Sequence, residues 1–313
     1  MTLTFVRRRN LGRASIRSMS SHLGTEHGVH STVLRTWLPR DMRRDDHTAV
    51  LLRWGCTSTL PPHLSTGIRV LNSASAIHRA NDKSTFAATL SSSGIGPRVV
   101  SPLDSSGLME TETYVVRPLR HSQGRHLSVL NHNSLTSLLS NTSDTNWYAR
   151  PLIKKVAEFR VYVLFGKVAS VAQKLVTDTS QVAWNHAVGA EFVNVKWDEW
   201  NTEVCFRALI AANLSKLDYA AVDVMVEEHT LTPWIIEVNS AGSLPPNEDG
   251  TPSYRARCVA DCLAWHMKEL NFDHFTDDVG VEGWRRYIHP AVWSNHPLNG
   301  GNQVPLFVST RSP

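Results

Sequence analysis

Residues 233–240 read PWIIEVNS, an apolar run that closes on two polar side chains. In a β-strand, positions i and i+2 share a face. Glu237 and Asn239 therefore present two oxygen-bearing side chains to one side, just before the small-residue break SAGS. A second run, AVDVMV at 221–226, sets Asp223 among valines. If the two runs pair as an antiparallel hairpin centred near Thr230, Asp223 stands directly opposite Glu237, and Asn239 falls across from Ala221 on the same face. Directly opposed side chains lie ~5 Å apart, and like charges placed so destabilise the pair. Two carboxylates within an apolar hairpin need a compensating cation or a shared proton. Hard oxygen ligands suit Mg²⁺, which binds through one or two carboxylates plus substrate phosphates. The competing reading is a register slip that exposes both acids. The flanking Val and Ile runs oppose it, because a slip would turn them to solvent.

A phosphate partner lies upstream. Arg117 ends the strand-like run YVVR, and HSQGR (121–125) follows with Ser122, Gln123 and Gly124. Backbone amides around a glycine can cradle phosphate within reach of a strand cation. A glycine-containing turn is also often only a turn. No Ser/His/Asp or Cys/His arrangement suggests nucleophilic catalysis.

The elements that must hold these residues are legible in outline. TLTFVRRR reads as a strand, NLGRAS as a turn, and SIRSMSSHLG as a helix with Ile16, Met19 and Leu23 on one face, ending at Gly24. The arginine- and serine-rich composition of the first 24 residues is also that of an organelle transit peptide, but the order fits a folded strand–loop–helix unit better. VLRTWLPR and AVLLRWG continue as strands, and residues 74–90 read as one helix with Asp82 and Ser84 as candidate caps. This alternation marks a small α/β domain. FRVYVLF and KVASVAQKLV flank a glycine turn as a hairpin. WDEWNTEVCFRALIAANLSKL and SYRARCVADCLAWHMKEL read as amphipathic helices. The residues from Asn271 onward hold Trp284 and Trp293 and are expected to pack on the body.

The 313-residue chain is 42% hydrophobic and 19% charged, with 15 histidines and a net charge of +4. That composition is globular. The charge suits an anionic ligand but is too diffuse to argue for nucleic acid. No apolar run approaches the ~20 residues that span a bilayer. Four cysteines without a CxxC motif fit a reducing compartment, and a cytoplasmic location is expected.

In order and spacing, four stretches together resemble the ATP-grasp superfamily, within it the ribosomal-protein glutamate-ligase (RimK-like) branch: AIHRANDKSTFAATLSSSGIGP, YVVRPLRHSQGRHL, WYARPLIKKVAEFRVYVLFGKVASVAQK and VDVMV…WIIEVNSAGS. The resemblance covers roughly 72–243. It implies a mixed α/β fold in which two α+β subdomains, at 81–146 and 147–270, grip ATP behind a Rossmann-like domain at 1–80, with 271–313 as a tail. Asp223, Glu237 and Asn239 would hold Mg²⁺, with Mn²⁺ as the alternative. Lys83 and Arg117 would meet the phosphates together with Ser122, Gln123 and Gly124. Tyr148 and Ala149 would lie at the adenine hinge, and Glu158 near the ribose or adenine. Lys174 and Arg160 would serve the reacting centre. Arg117 replaces the usual lysine, and Trp184 stands where a basic loop would offer a cation. The implied reaction joins a carboxylate substrate, an amino acid or a peptide, to an amine through an acyl phosphate, releasing ADP and phosphate. A small-molecule kinase, or a nucleotide-binding protein with little turnover, uses the same fold. Neither a membrane nor nucleic acid is an expected partner, and the oligomeric state is open.

Overall fold

The computed structural model describes residues 2–8, 11–36, 47–119, 127–141, 146–184 and 189–270. The chain begins with a four-stranded parallel sheet of order β2-β1-β3-β4. Its strands are β1 (Thr2–Arg7), β2 (His30–Arg35), β3 (Thr48–Trp54) and β4 (Arg69–Leu71). All of β1 is buried, as a central parallel strand must be. Helix α1 (Arg13–His27) crosses between β1 and β2 and buries Ile16, Met19 and Leu23 as the spacing requires. It does not stop at Gly24. Gly28, left-handed at φ 62°, ends it instead, with its N–H bonded to the Leu23 carbonyl. A single helical turn, α2 (Pro62–Ser65), precedes β4.

The helix expected over 74–90 is two helices. Asp82 is non-helical (φ −75°, ψ 81°), ending α3 (Ala74–Asn81) and capping α4 (Lys83–Ser92) by accepting from the Thr85 N–H at 3.2 Å. Lys83 thus opens α4. Helix α3 buries Ala76, Ile77 and Ala80 in the core of the largest sheet, so the division expected at residue 80 falls within this packed unit, and the first sheet ends at Leu71.

A three-stranded antiparallel sheet follows, order β6-β5-β7, from β5 (Thr113–Pro118), β6 (Ser128–Asn131) and β7 (Trp147–Pro151), with α5 (His132–Asn141) against it. The largest sheet has five strands, order β10-β9-β8-β11-β12, all antiparallel. They are β8 (Lys155–Leu164), β9 (Lys167–Leu175), β10 (Glu191–Asn194), β11 (Tyr219–Glu227) and β12 (Pro233–Asn239). Phe165 and Gly166, both at positive φ, form the tight β8–β9 turn. A 3-10 turn at Trp197–Glu199 precedes α6 (Thr202–Ser215), capped by Asn201, and α7 (Tyr254–Leu270) closes the described chain.

One face of the five-stranded sheet is apolar and packs on α6 through Val161, Val171, Val222, Val224 and Ile235. Part of its other face is covered by α7 and the first sheet, where Leu3, Phe5 and Trp54 share a core with Tyr162, Tyr219 and Leu263. All four cysteines are buried and unpaired. No helix among the described residues is long and apolar enough to cross a membrane.

Asn72 fastens the first sheet to the last. Fully buried and left-handed at φ 57°, it accepts from the Tyr219 N–H at 2.9 Å and donates to the Tyr219 carbonyl at 3.0 Å. Asn72→Ala would strand both Tyr219 groups and place a less tolerant residue at positive φ. We expect it to cost about 2–3 kcal/mol in denaturant unfolding, with the far-UV spectrum unchanged.

Candidate active site

The hairpin register is the one the residue types demand. Asp223 pairs with Glu237, and Ala221 with Asn239. The register then shifts, Val224 pairing with Ile235, so Ile236 is a bulge residue. Bulges re-aim side chains beside functional sites. Ile236 lines the same cavity as Glu237 and accepts through its carbonyl from Arg150 Nη1 at 2.9 Å.

Alternation across the pairings collects one polar face from five strands. It carries Glu237 and Asn239 (β12), Asp223 (β11), Glu158 and Arg160 (β8), Lys174 (β9) and Phe192 (β10). The acids on it are held by cations of the chain. Arg160 grips Asp223 with two bonds of 2.8 Å, and Lys174 Nζ lies 3.4 Å from Asp223 Oδ1. Glu158 is buried between Lys155, at 2.7 Å, and Lys174. Lys83 pairs with Glu237 at 2.8 Å and donates to the Val238 carbonyl. The Phe192 ring lies beneath Arg160, Lys174 and Arg255 at 4.9–5.8 Å.

Burial alone would raise the Asp223 carboxyl, but Arg160 and Lys174 overcome it and hold the group well below the ordinary range. Glu237 is opposed in the same way: burial raises it, Lys83 lowers it further, and it too ends low. Burial pulls the Lys155 ammonium down despite Glu158. Lys155 stands 4.4 Å over the Trp184 ring, so a strand lysine brings a cation to the place where the loop carries an aromatic.

Two adjoining cavities open beside this face. One is lined by Lys83, Arg117, Tyr148, Arg150, Ile236 and Glu237, with Phe86 and Leu90 behind. The other, more apolar, is lined by Pro97, Val115, Pro151, Leu152, Ile153, Val182 and Met225, and shares Arg117, Arg150 and Ile236 with the first. Val115, Arg117, Tyr148 and Arg150 occupy one face of the β5–β7 pair. Ala149 faces the other way, in the core with Tyr114, Val116 and Leu135, so it does not reach the cavity where the hinge was expected. The segment joining β7 to β8 is 152–154, and Leu152 and Ile153 line the apolar cavity. Glu158 lines neither cavity. Ser122, Gln123 and Gly124 lie outside the described residues.

Arg150 and Ile236 went unread in the sequence. An arginine in a strand is usually a solvated one, and a bulge leaves no mark in a Val/Ile run. A third, open cleft of about 800 Å³ lies beyond Asn239, between Gly12, Arg13, Ser15 and Arg17 of the first unit and Ala241–Ser243.

Arg160 is the main counter-charge of a buried acid, and truncating one partner of such a pair is costly. Arg160→Met should lower stability at neutral pH by about 3 kcal/mol. The acid side also moves. A carboxyl lowered in the folded state contributes stability above its unfolded value, near 3.8 for Asp223, and loses it as pH falls through the folded value. Losing Arg160 raises the folded value, so the midpoint of acid unfolding should shift to higher pH, read by circular dichroism from pH 7 to 2.

No protein-family model and no curated protein sequence matches the chain. Solved structures do. The ATP-grasp ligase PsnB, complexed with a minimal precursor, aligns at TM-score 0.62 and 15% identity over 83% of this chain and 98% of its own. The macrocyclase MdnC, bound with precursor peptide MdnA from Microcystis aeruginosa MRC, aligns at 0.58 and 14% over 84% and 99%. D-alanine–D-alanine ligase from Bacillus anthracis aligns at 0.55 and 16% over 86% and 94%. Identities this low speak for architecture alone, and by architecture the chain has the ATP-grasp fold.

Proposed function

We propose that the protein is an ATP-dependent carboxylate–amine ligase of the RimK-like kind, forming an amide bond and releasing ADP and phosphate. The observation that carries this reading is the polar sheet face: Asp223 opposite Glu237, with Asn239 beside them, against cavities that bring Lys83, Arg117 and Arg150 together.

The donor set fits Mg²⁺. A carboxylate offers about four lone-pair directions, and Arg160 takes one on each Asp223 oxygen, leaving others for a metal. Glu237 borders the cavity, and Asn239 adds a neutral oxygen. Asp223, Glu237 and Asn239 would hold the ion, which when bound would supply positive charge against the charge that develops on the phosphates. Arg160 and Lys174 keep Asp223 ionised, as a ligand must be. Lys83 and Arg117 offer cations to a triphosphate in a partly dehydrated site, where such contacts gain strength. The apolar cavity at Leu152, Ile153 and Met225 suits an adenine ring, which moves the hinge role from Tyr148 and Ala149 to the β7–β8 connection.

In the reaction, a substrate carboxylate oxygen takes the γ-phosphoryl group and ADP leaves. The amine then attacks the acyl carbon, the C–O bond to phosphate breaks, and the amine gives up a proton. The chain needs few acid–base groups, because its work is positioning and charge. Arg13 and Arg17 at the open cleft suit an anionic substrate. The PsnB and MdnC complexes hold precursor peptides, which supports a peptide as one partner.

Calorimetric titration with a non-hydrolysable ATP analogue tests the site. Binding should require Mg²⁺ and weaken at least about tenfold in Glu237→Gln. Absence of binding under any condition sinks the reading. With ATP, release of ADP that needs both a carboxylate and an amine indicates ligation, and release with one acceptor alone indicates a kinase.

A further inference from the structure

Away from the carboxylate face, two histidines of α1 and one aspartate of α7 converge. His22 Nε2 lies 2.6 Å and His27 Nε2 2.7 Å from the same oxygen, Asp261 Oδ1. The rings stand at 78° with centroids 5.6 Å apart, splayed rather than stacked. The three side chains are 12%, 22% and 18% exposed, within reach of an ion and a water. His22 is seven residues beyond Ser15, about 10 Å along the helix from the open cleft.

We propose that His22, His27 and Asp261 form a divalent transition-metal site, with Zn²⁺ as the occupant and water as the fourth ligand. The three donor atoms already lie within 4.8 Å of one another. Around a tetrahedral Zn²⁺ with bonds of ~2.0–2.2 Å, ligand atoms sit roughly 3.3 Å apart, so each nitrogen retreats from the carboxylate by about 0.6 Å while the two nitrogens settle at that same spacing. Two imidazoles select against Mg²⁺ and Ca²⁺ and favour zinc-like ions. Each Nε2 presents its lone pair once its proton resides on Nδ1, a tautomer change that needs no backbone motion. Both Nε2 atoms already converge on one atom, Asp261 Oδ1. The site joins residues 239 positions apart, so an ion there clips the first α/β unit to the last helix of the body. Its occupancy is independent of ATP.

Zinc chloride titrated into chelator-stripped protein, followed by calorimetry and thermal melting, tests this. The wild type should take up one equivalent at micromolar or tighter affinity, undisturbed by millimolar Mg²⁺, with a melting rise of about 5 °C. Asp261→Asn and His27→Gln should each weaken binding about tenfold or more. Melting in chelator shows that the variants fold. His27→Gln changes a partly exposed helix end and carries the comparison if Asp261→Asn does not fold. No saturable zinc uptake by the wild type, or uptake unchanged in the variants, overturns the proposal.

Discussion

Two carboxylates facing each other across a buried hairpin impose the condition that the rest of this chain meets. Asp223 and Glu237 repel, and burial makes each costlier. Their counter-charges come from three other elements: Arg160 on β8, Lys174 on β9 and Lys83 at the start of α4. None is near either acid in sequence. The strand order that places β8 between β9 and β11 is therefore also the order that neutralises the site. A slip of β8 by one residue would turn Arg160 to the apolar face and leave Asp223 with Lys174 alone.

Such a site survives in a sheet because the two faces are segregated. Valines pack on α6 from one side, while acids and bases alternate with them on the other. Phe192 extends the arrangement without adding charge. Its ring lies under three cations, where the π-face offers attraction and none of the desolvation cost of another acid. Lys83, Lys155, Arg160 and Lys174 outnumber Asp223, Glu158 and Glu237 here, an imbalance that suits an anionic ligand.

The legible parts of the sequence are those governed by local rules. The pairing of Asp223 with Glu237 followed from symmetry about one turn, because the Val/Ile runs fix which face is buried. The bulge at Ile236 sits turnward of that pair and left its register intact. The break at Asp82 was visible as a cap, although continuous apolar spacing concealed that it divides two helices. Gly24 misled because glycine permits a helix end without requiring one, whereas Gly28 holds a positive φ that does. Arg150, the lining by Leu152 and Ile153, and the His22–His27–Asp261 cluster depend on contacts between distant segments, and spacing carries no trace of them. The short edge strand β10 is mostly exposed and lacks a strong alternation of its own.

The loop after Asn239 links the carboxylate face of the sheet to the open cleft at α1. Gly242 packs so closely that a Cβ there would lie 2.5 Å from the Ala221 Cβ and 2.7 Å from the Tyr219 hydroxyl, which explains the run of small residues. Tyr162 donates to the Ser243 carbonyl at 2.8 Å, and the Leu244 N–H donates to Ser15 Oγ at 2.9 Å. Ser243 is thus pinned to β8, which carries Arg160, while Gly242 packs on β11, which carries Asp223. The next residue, Leu244, is pinned to the first turn of α1, the helix that carries Arg13 and Arg17. The cleft between them is built by two units of the chain but held to one sheet. The cleft beside α1 thereby keeps a fixed position relative to the carboxylates, and the same fastening accompanies the core that the first α/β unit shares with the sheet.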